Sequence, residues 1–298
     1  MKIQFIGIVL ITATVGWLGY TGISMIFKKP ACTPREGEAY CIAHTTTQTI
    51  TAGEPQPYSF SIVDAKGNHV TQFTPIHTKI MHMIVVRHDL GDFQHLHPTF
   101  NEKTGIFSVP DLTLPTDGTY RAFVDFMEKD ASQAMTYEDI ATTNPNAYTA
   151  KDTIKPKQES AADGYNVRLT TSKPLQSSAM TTLTFTITKN GIPVTNLEPY
   201  LGAYAHTVII RNGTLEYLHT HPETEGHAHS AYSFIPTAHA HGAHEAQTGK
   251  IAIMTTFPFG GDYKLFFQVQ HEGVVRIFDF VVHVAQGEAG DHGEMMHH

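Results

Sequence analysis

One stretch of this chain is written twice. Val70, Thr71 and Pro75 recur as Val194, Thr195 and Pro199, and His82, His95, His97 and Pro98 recur as His206, His219, His221 and Pro222, each pair 124 residues apart. Further on, Leu114-Pro115, Gly118, Tyr120 and Phe123 are echoed by Phe257-Pro258, Gly261, Tyr263 and Phe266 at an offset of 143. A repeat of this length calls for two structural units of one kind, each with its own core. The chain has 298 residues, enough for two domains of roughly 100 residues with connecting segments.

The text of each copy has the period of strands. Tyr58-Ser59-Phe60-Ser61-Ile62 and Thr182-Leu183-Thr184-Phe185-Thr186-Ile187 alternate large apolar with small polar residues, as half-buried strands do. Asp64-Ala65-Lys66-Gly67-Asn68 and Lys189-Asn190-Gly191 read as hairpin turns, where Gly and Asn accept positive φ. No long apolar stripe of helical period follows residue 30. The expectation is an all-β body of two tandem immunoglobulin-like antiparallel β-sandwiches. Its divisions are a membrane anchor (1–29), a Cys-containing linker (30–45), a first sandwich (46–135), a last strand and linker (136–163), a second sandwich (164–285) with a His-rich insertion (223–248), and a His/Met-rich tail (286–298).

Histidine is the residue to follow: there are 20, as many as all Lys and Arg together. His82, His95 and His97 form the pattern H-x12-H-x-H-P, and the second copy keeps it, whereas His69, His77 and His88 have no counterpart. A hairpin turning near Asp89-Leu90 puts His82 across from His97, with His95 and His97 on one face. Three imidazoles so placed can converge on one ion. In the second copy the Asn212-Gly213 turn is expected to shift the register so that His206 faces His219. Alternation puts Met81 and Met83 on the face opposite His82, in the core. A His ahead of Pro at a strand end can also simply hydrogen-bond backbone, which is the competing structural role. His227, His229, His239, His241 and His244 in the insertion, and His292, His297 and His298 in the tail, read as weaker, flexible metal-capture residues. His271 and His283, alone among strand residues, read as structural.

Composition removes other classes. A net charge of −8 argues against a nucleic-acid surface. Two cysteines exclude four-cysteine zinc or iron–sulfur sites, and no G-x-S-x-G, H-E-x-x-H or P-loop is present. Asp92 and Glu216 are read at different offsets from the triads, so no repeated general base is assigned and no catalytic residue is named. A neutral three-imidazole site suits copper, with zinc or nickel as alternatives.

The stretches Met81–Leu90 with Phe93–Pro98, and Leu197–His206 with Tyr217–Pro222, resemble bacterial secreted or membrane-anchored proteins similar in general plan to YtkA-like and CopC-type copper-handling proteins. The resemblance covers roughly residues 45–284 and implies a two-domain, immunoglobulin-like extracytoplasmic protein.

Ile3 to Phe27 is a run of 25 residues without a formal charge. As a helix it would span roughly 37 Å, more than the ~30 Å hydrocarbon core, and it is expected to be a single-pass anchor. Lys28, Lys29 and Arg35 taken alone favour a cytoplasmic body. Against them stand Cys32 and Cys41, which either close a small disulfide loop in an oxidising compartment or remain free thiols. The expected whole is a membrane-anchored, extracytoplasmic metal-binding protein that sequesters its ion or passes it to a metal-acceptor protein. The alternative is an anchored adhesion or assembly module whose histidines are structural.

Overall fold

The structure, a computed structural model, describes residues 32–44, 50–149, 154–220 and 248–287, without the side chains of His219 and Thr220. The run expected to form the anchor therefore lies outside the described residues, as do His221, the His-rich insertion and the tail. Among the described residues no helix is long and apolar enough to cross a membrane.

Eight strands make the first unit: β1 (Tyr40–Ala43), β2 (Gln56–Asp64), β3 (Met81–Arg87), β4 (Phe93–Leu96), β5 (Thr99–Asn101), β6 (Ile106–Leu112), β7 (Thr119–Met127) and β8 (Gln133–Ala141). They form two antiparallel sheets, ordered β1-β2-β6-β5 and β4-β3-β7-β8. The second unit has β9 (Glu159–Ala162), β10 (Tyr165–Thr171), β11 (Met180–Lys189), β12 (Ile192–Pro193), β13 (His206–Arg211), β14 (Tyr217–Thr220), β15 (Lys250–Thr256), β16 (Gly261–His271) and β17 (Val274–Val284). Its sheets run β12-β11-β10-β9, with β15 also paired to β11, and β14-β13-β16-β17. Both units are immunoglobulin-like sandwiches, and β1 falls in the stretch read as linker. Cys32 is disulfide-bonded to Cys41 on β1.

The alternation read from the sequence places the cores. Tyr58, Phe60 and Ile62 of β2 point into the first core, and Leu183, Phe185 and Ile187 of β11 into the second. Phe185 stacks on Phe267 with ring centroids 4.0 Å apart. Each such side chain taken out of water contributes about 1.5–3 kcal/mol. A tyrosine corner, the signature of this fold class, occurs in both copies. Tyr120 donates its hydroxyl to the Thr116 carbonyl (2.8 Å) and Tyr263 to the Phe259 carbonyl (2.9 Å). Two residues earlier, Gly118 and Gly261 sit at φ +142° and +134°, where a Cβ would meet the Arg87 and Arg211 side chains at 2.9 and 3.0 Å.

Strand β3 is buried along its whole length. Met81, Met83 and Val85 face the first core, as expected for the two methionines, while Ile84 and Val86 face the second sandwich. The partner strand β13 is divided the same way: Ile209 faces its own core, and Val208 and Ile210 meet the first sandwich. The sandwiches thus bury a sheet of each against the other. Phe93 stacks on Phe266 at 4.1 Å and Phe123 on Tyr217 at 4.6 Å. Under the two repeat offsets Phe93 is equivalent to Tyr217 and Phe123 to Phe266, so the interface has an internal two-fold relation.

At one edge of the first sandwich the His44 ring donates from Nδ1 to the Ser59 carbonyl (2.9 Å) and from Nε2 to the Glu138 carboxylate (2.8 Å), which also receives the Tyr58 hydroxyl. Burial acts to lower the His44 pKa, and the Glu138 hydrogen bond and charge outweigh it, so it stands above the ordinary histidine value. A histidine with a raised folded pKa stabilises the fold fully below its unfolded pKa of ~6.5, and the gain is lost as pH rises through the folded value. Glu138→Gln is therefore expected to destabilise by up to about 1 kcal/mol more at pH 6 than at pH 9. Urea denaturation at the two pH values checks this, and equal losses at both would contradict it.

Candidate metal centre

The hairpin β3–β4 positions the first triad as its sequence predicts. Met83 faces Leu96 and Ile84 faces His95, which carries His82 to the position opposite His97. The ring centroids of His82 lie 5.2 Å from His95 and 5.0 Å from His97, and those of His95 and His97 are 4.8 Å apart. One nitrogen from each ring falls within 4.8 Å of the other two. A tetrahedral ion with bonds of ~2.0–2.1 Å draws its nitrogens to about 3.3 Å of one another, an adjustment that side-chain rotation supplies.

Outer partners orient the rings. The Nε2–H of buried His82 donates to the Ile76 carbonyl at 3.1 Å, which leaves Nδ1 as a lone pair. That Nδ1 lies 3.0 Å from His95 Nε2, while His95 Nδ1 is 3.1 Å from Gln268 Oε1 on β16 of the second sandwich. With His95 Nδ1–H donating to Gln268, two lone pairs face each other at the centre, an arrangement that a cation between them stabilises. Turning the Gln268 amide over gives its Nε2, which as placed has no partner among the described residues, a bond to His95, and lets His95 Nε2–H donate to His82. The same atoms thus support a metal-free network and a metal-ready one that differ by one amide rotation. Among the described residues His97 Nε2 is buried without a hydrogen-bond partner. Burial, then the charges of His82 and Lys79, push the His97 pKa down to about 3, so this ring is neutral and its lone pair available.

The charge behind the triad was not legible as a site. Asp125, fully buried on β7, is the cross-strand partner of His82 and accepts the Tyr217 hydroxyl at 2.6 Å from the other sandwich. Burial raises its pKa to about 6 against the lowering pull of Tyr217 and His82. The position equivalent to Asp125 is Gln268, at the 143-residue offset of Phe123 and Phe266. Because the two residue types differ, a search for identities passes over the pair.

Three sequence expectations are corrected here. The second hairpin keeps the first one's register: Val208 faces His219 and Thr207 faces Thr220, so His206 aligns with position 221 and not with His219. Both loops close at one length, with Arg87 N–H bonded to the Asp92 carbonyl (3.0 Å) and Arg211 N–H to the Glu216 carbonyl (2.9 Å), so Asn212-Gly213 introduces no shift. Second, Asp92 and Glu216 do share the 124-residue offset. They serve one role, pairing with Arg87 at 2.5 Å and Arg211 at 3.3 Å beneath the glycines. Third, His77, set aside for lacking a counterpart, lies beside the triad, its ring centroid 6.2 Å from His82.

Of the second set, His206 is buried on β13 and its ring is held by the Tyr200 carbonyl (2.8 Å). The backbone of His219 is in β14, and His221 lies outside the described residues, as do His227, His229, His239, His241, His244, His292, His297 and His298. His271 is a structural residue between Tyr165 (2.6 Å) and Asn196 (2.9 Å), and His283 pairs with Asp262 at 2.8 Å on the surface.

Residues 38–142 and 159–286 match a family described as a domain of unknown function (DUF8832). The chain belongs to that family. The match supports the two-repeat architecture and carries no copper function. No curated protein matches the chain. Among solved structures it is similar to a tetra-tandem repeat from the extending region of a large adhesion protein, with 9% identity, 82% of this chain and 48% of that one covered, and a TM-score of 0.26. It is similar also to invasin, a bacterial integrin-binding protein (12% identity, 83% and 39% covered, TM-score 0.23). A third is dimeric latent PorU from Porphyromonas gingivalis (12% identity, 82% and 20% covered, TM-score 0.23). The chain spans less than half the length of each, and likeness at this level carries no argument about function.

Proposed function

We propose that this family member binds a transition-metal ion through His82, His95 and His97, copper first and zinc or nickel as alternatives, as a sequestering or transfer protein rather than an enzyme. The observation that carries the reading is the convergence of three imidazole nitrogens on one point, two of the rings oriented by partners on their far side. The donors are all nitrogen, with Met81 and Met83 committed to the core, which suits Cu(II), Zn(II) and Ni(II), and among these Cu(II) binds most tightly. A Cys32–Cys41 disulfide supports an oxidising, extracytoplasmic setting for the body. With the charge-free run at Ile3–Phe27 as an anchor, the site would stand at a membrane surface, where a metal-acceptor protein could collect the ion. The second reading, an anchored adhesion or assembly module, draws on the tandem sandwich architecture and becomes the account if no ion binds.

Deleting residues 223–248 and truncating after residue 287 should remove only weak sites. Equilibrium dialysis against Cu(II) and Zn(II) is expected to show the same tight equivalent in this shortened chain as in the full one. Loss of that equivalent would place the binding in the insertion and tail histidines and not in the triad.

A further inference from the structure

We infer that the second sandwich completes the metal centre: His206 from β13 and His77 from the turn before β3 are further ligands, so that the bound ion ties the two sandwiches together. The inference rests on the proposed triad binding an ion. The His206 ring centroid lies 6.5 Å from His82, 6.2 Å from His95 and 6.0 Å from His77, and His77 lies 6.2 Å from His82. Two imidazoles sharing a tetrahedral ion at ~2.0–2.1 Å bonds have centroids roughly 5 Å apart, so each of the four separations exceeds that by about 1–1.5 Å, a closure that side-chain rotation has to supply.

The internal two-fold explains why these rings meet. His82 gives its Nε2–H to the Ile76 carbonyl and His206 gives its own to the Tyr200 carbonyl, 124 residues on, at 3.1 and 2.8 Å. Both rings thereby present Nδ1, the atom that His82 already turns to the triad. Each carbonyl opens a two-residue turn, Ile76–Lys79 in one copy and Tyr200–Ala203 in the other, and the turns abut: a Cβ on Gly202 would stand 3.6 Å from Thr78 Cγ2. Among the described residues, His206 of the second set thus stands with the first set at the domain boundary.

The turn itself departs from local rules in the first copy. Both central residues have positive φ: Leu201 (+53°) and Gly202 (+78°) in the second copy, His77 (+48°) and Thr78 (+69°) in the first. Such turns favour Asn-Gly, and a β-branched residue at positive φ is an outlier. A sequence that places His and Thr there accepts strain that Asn-Gly would avoid; the β-branched Thr78 carries it, and His77, its neighbour in the turn, is the residue facing His82 and His206.

The test uses the full chain in detergent with Zn(II) and Cu(II), a competing chelator holding free ion below the reach of exposed histidines. Wild type, His206→Ala and His77→Asn are compared for affinity and for ion-dependent protection of the β13 and β16 amides from hydrogen exchange. His77→Asn suits the positive φ, so it keeps or raises stability without ion, which a merely structural histidine would not combine with weaker binding. The expected result is a loss of tenfold or more in affinity for both variants, with ion-dependent protection of β13 and β16 lost. Wild-type affinity in His77→Asn and His206→Ala would overturn the inference and leave the triad reading standing. No tight binding by wild type would overturn both. If His206→Ala does not fold, His77→Asn decides alone.

Discussion

Replacing His97 by alanine is expected to weaken Cu(II) or Zn(II) binding by about 100- to 1,000-fold, a loss of roughly 3–4 kcal/mol. The fold without ion should be unharmed. Among the described residues His97 Nε2 is a buried acceptor with no partner, so its removal takes away an unsatisfied polar atom and breaks no hydrogen bond among them. Binding and stability therefore move apart in this variant: affinity falls, while the unfolding free energy of the metal-free chain stays within about 0.5 kcal/mol or rises. Competition titration beside a denaturation curve checks both halves. An equal fall in stability and affinity would make His97 a packing residue.

The second large effect concerns the pairing of the sandwiches. Phe123→Ala removes the ring stacked on Tyr217 at 4.6 Å and opens a void among Ile84, Val86, Val208 and Ile210. The expected cost is about 3–5 kcal/mol, from lost burial plus the cavity left behind. It also opens the surroundings of the Tyr217–Asp125 hydrogen bond, which is made across the boundary. Urea denaturation monitored by near-ultraviolet circular dichroism reads the loss. A change under 1 kcal/mol would show that the sandwiches are held together elsewhere. The two predictions are connected, because Gln268 orients His95 from across this same interface.

Much of this was legible in the sequence. Period-two alternation in Tyr58–Ile62 and Leu183–Ile187 reports a face buried against one core, and the index sum of an antiparallel hairpin carries His82 to His97. The side chains His82, Ile84 and Val86 show the limit. A strand buried on both faces reads as a continuous apolar run, and nothing in Met81–Arg87 says whether its second face meets another sheet or another domain. That missing fact hid the approach of His206 to the first triad, since β3 and β13 meet only once the sandwiches pair. It also hid Asp125 and Gln268, equivalent positions with different side chains. His77 was passed over because it lacks a counterpart, although its neighbour in space is His206, which belongs to the other copy. Asn212-Gly213 suggests a shifted register in the second hairpin, where the Arg211–Glu216 closure sets the loop length and the turn residues do not.

The most direct measurement is X-ray absorption at the metal edge on the full chain loaded with one equivalent of Zn(II), alongside the variant with His82, His95 and His97 all changed to alanine. The account predicts a nitrogen shell near ~2.0 Å with the outer scattering of three or more imidazoles in the wild type, absent from the variant. A shell without imidazole scattering, or the same spectrum from both proteins, would contradict it.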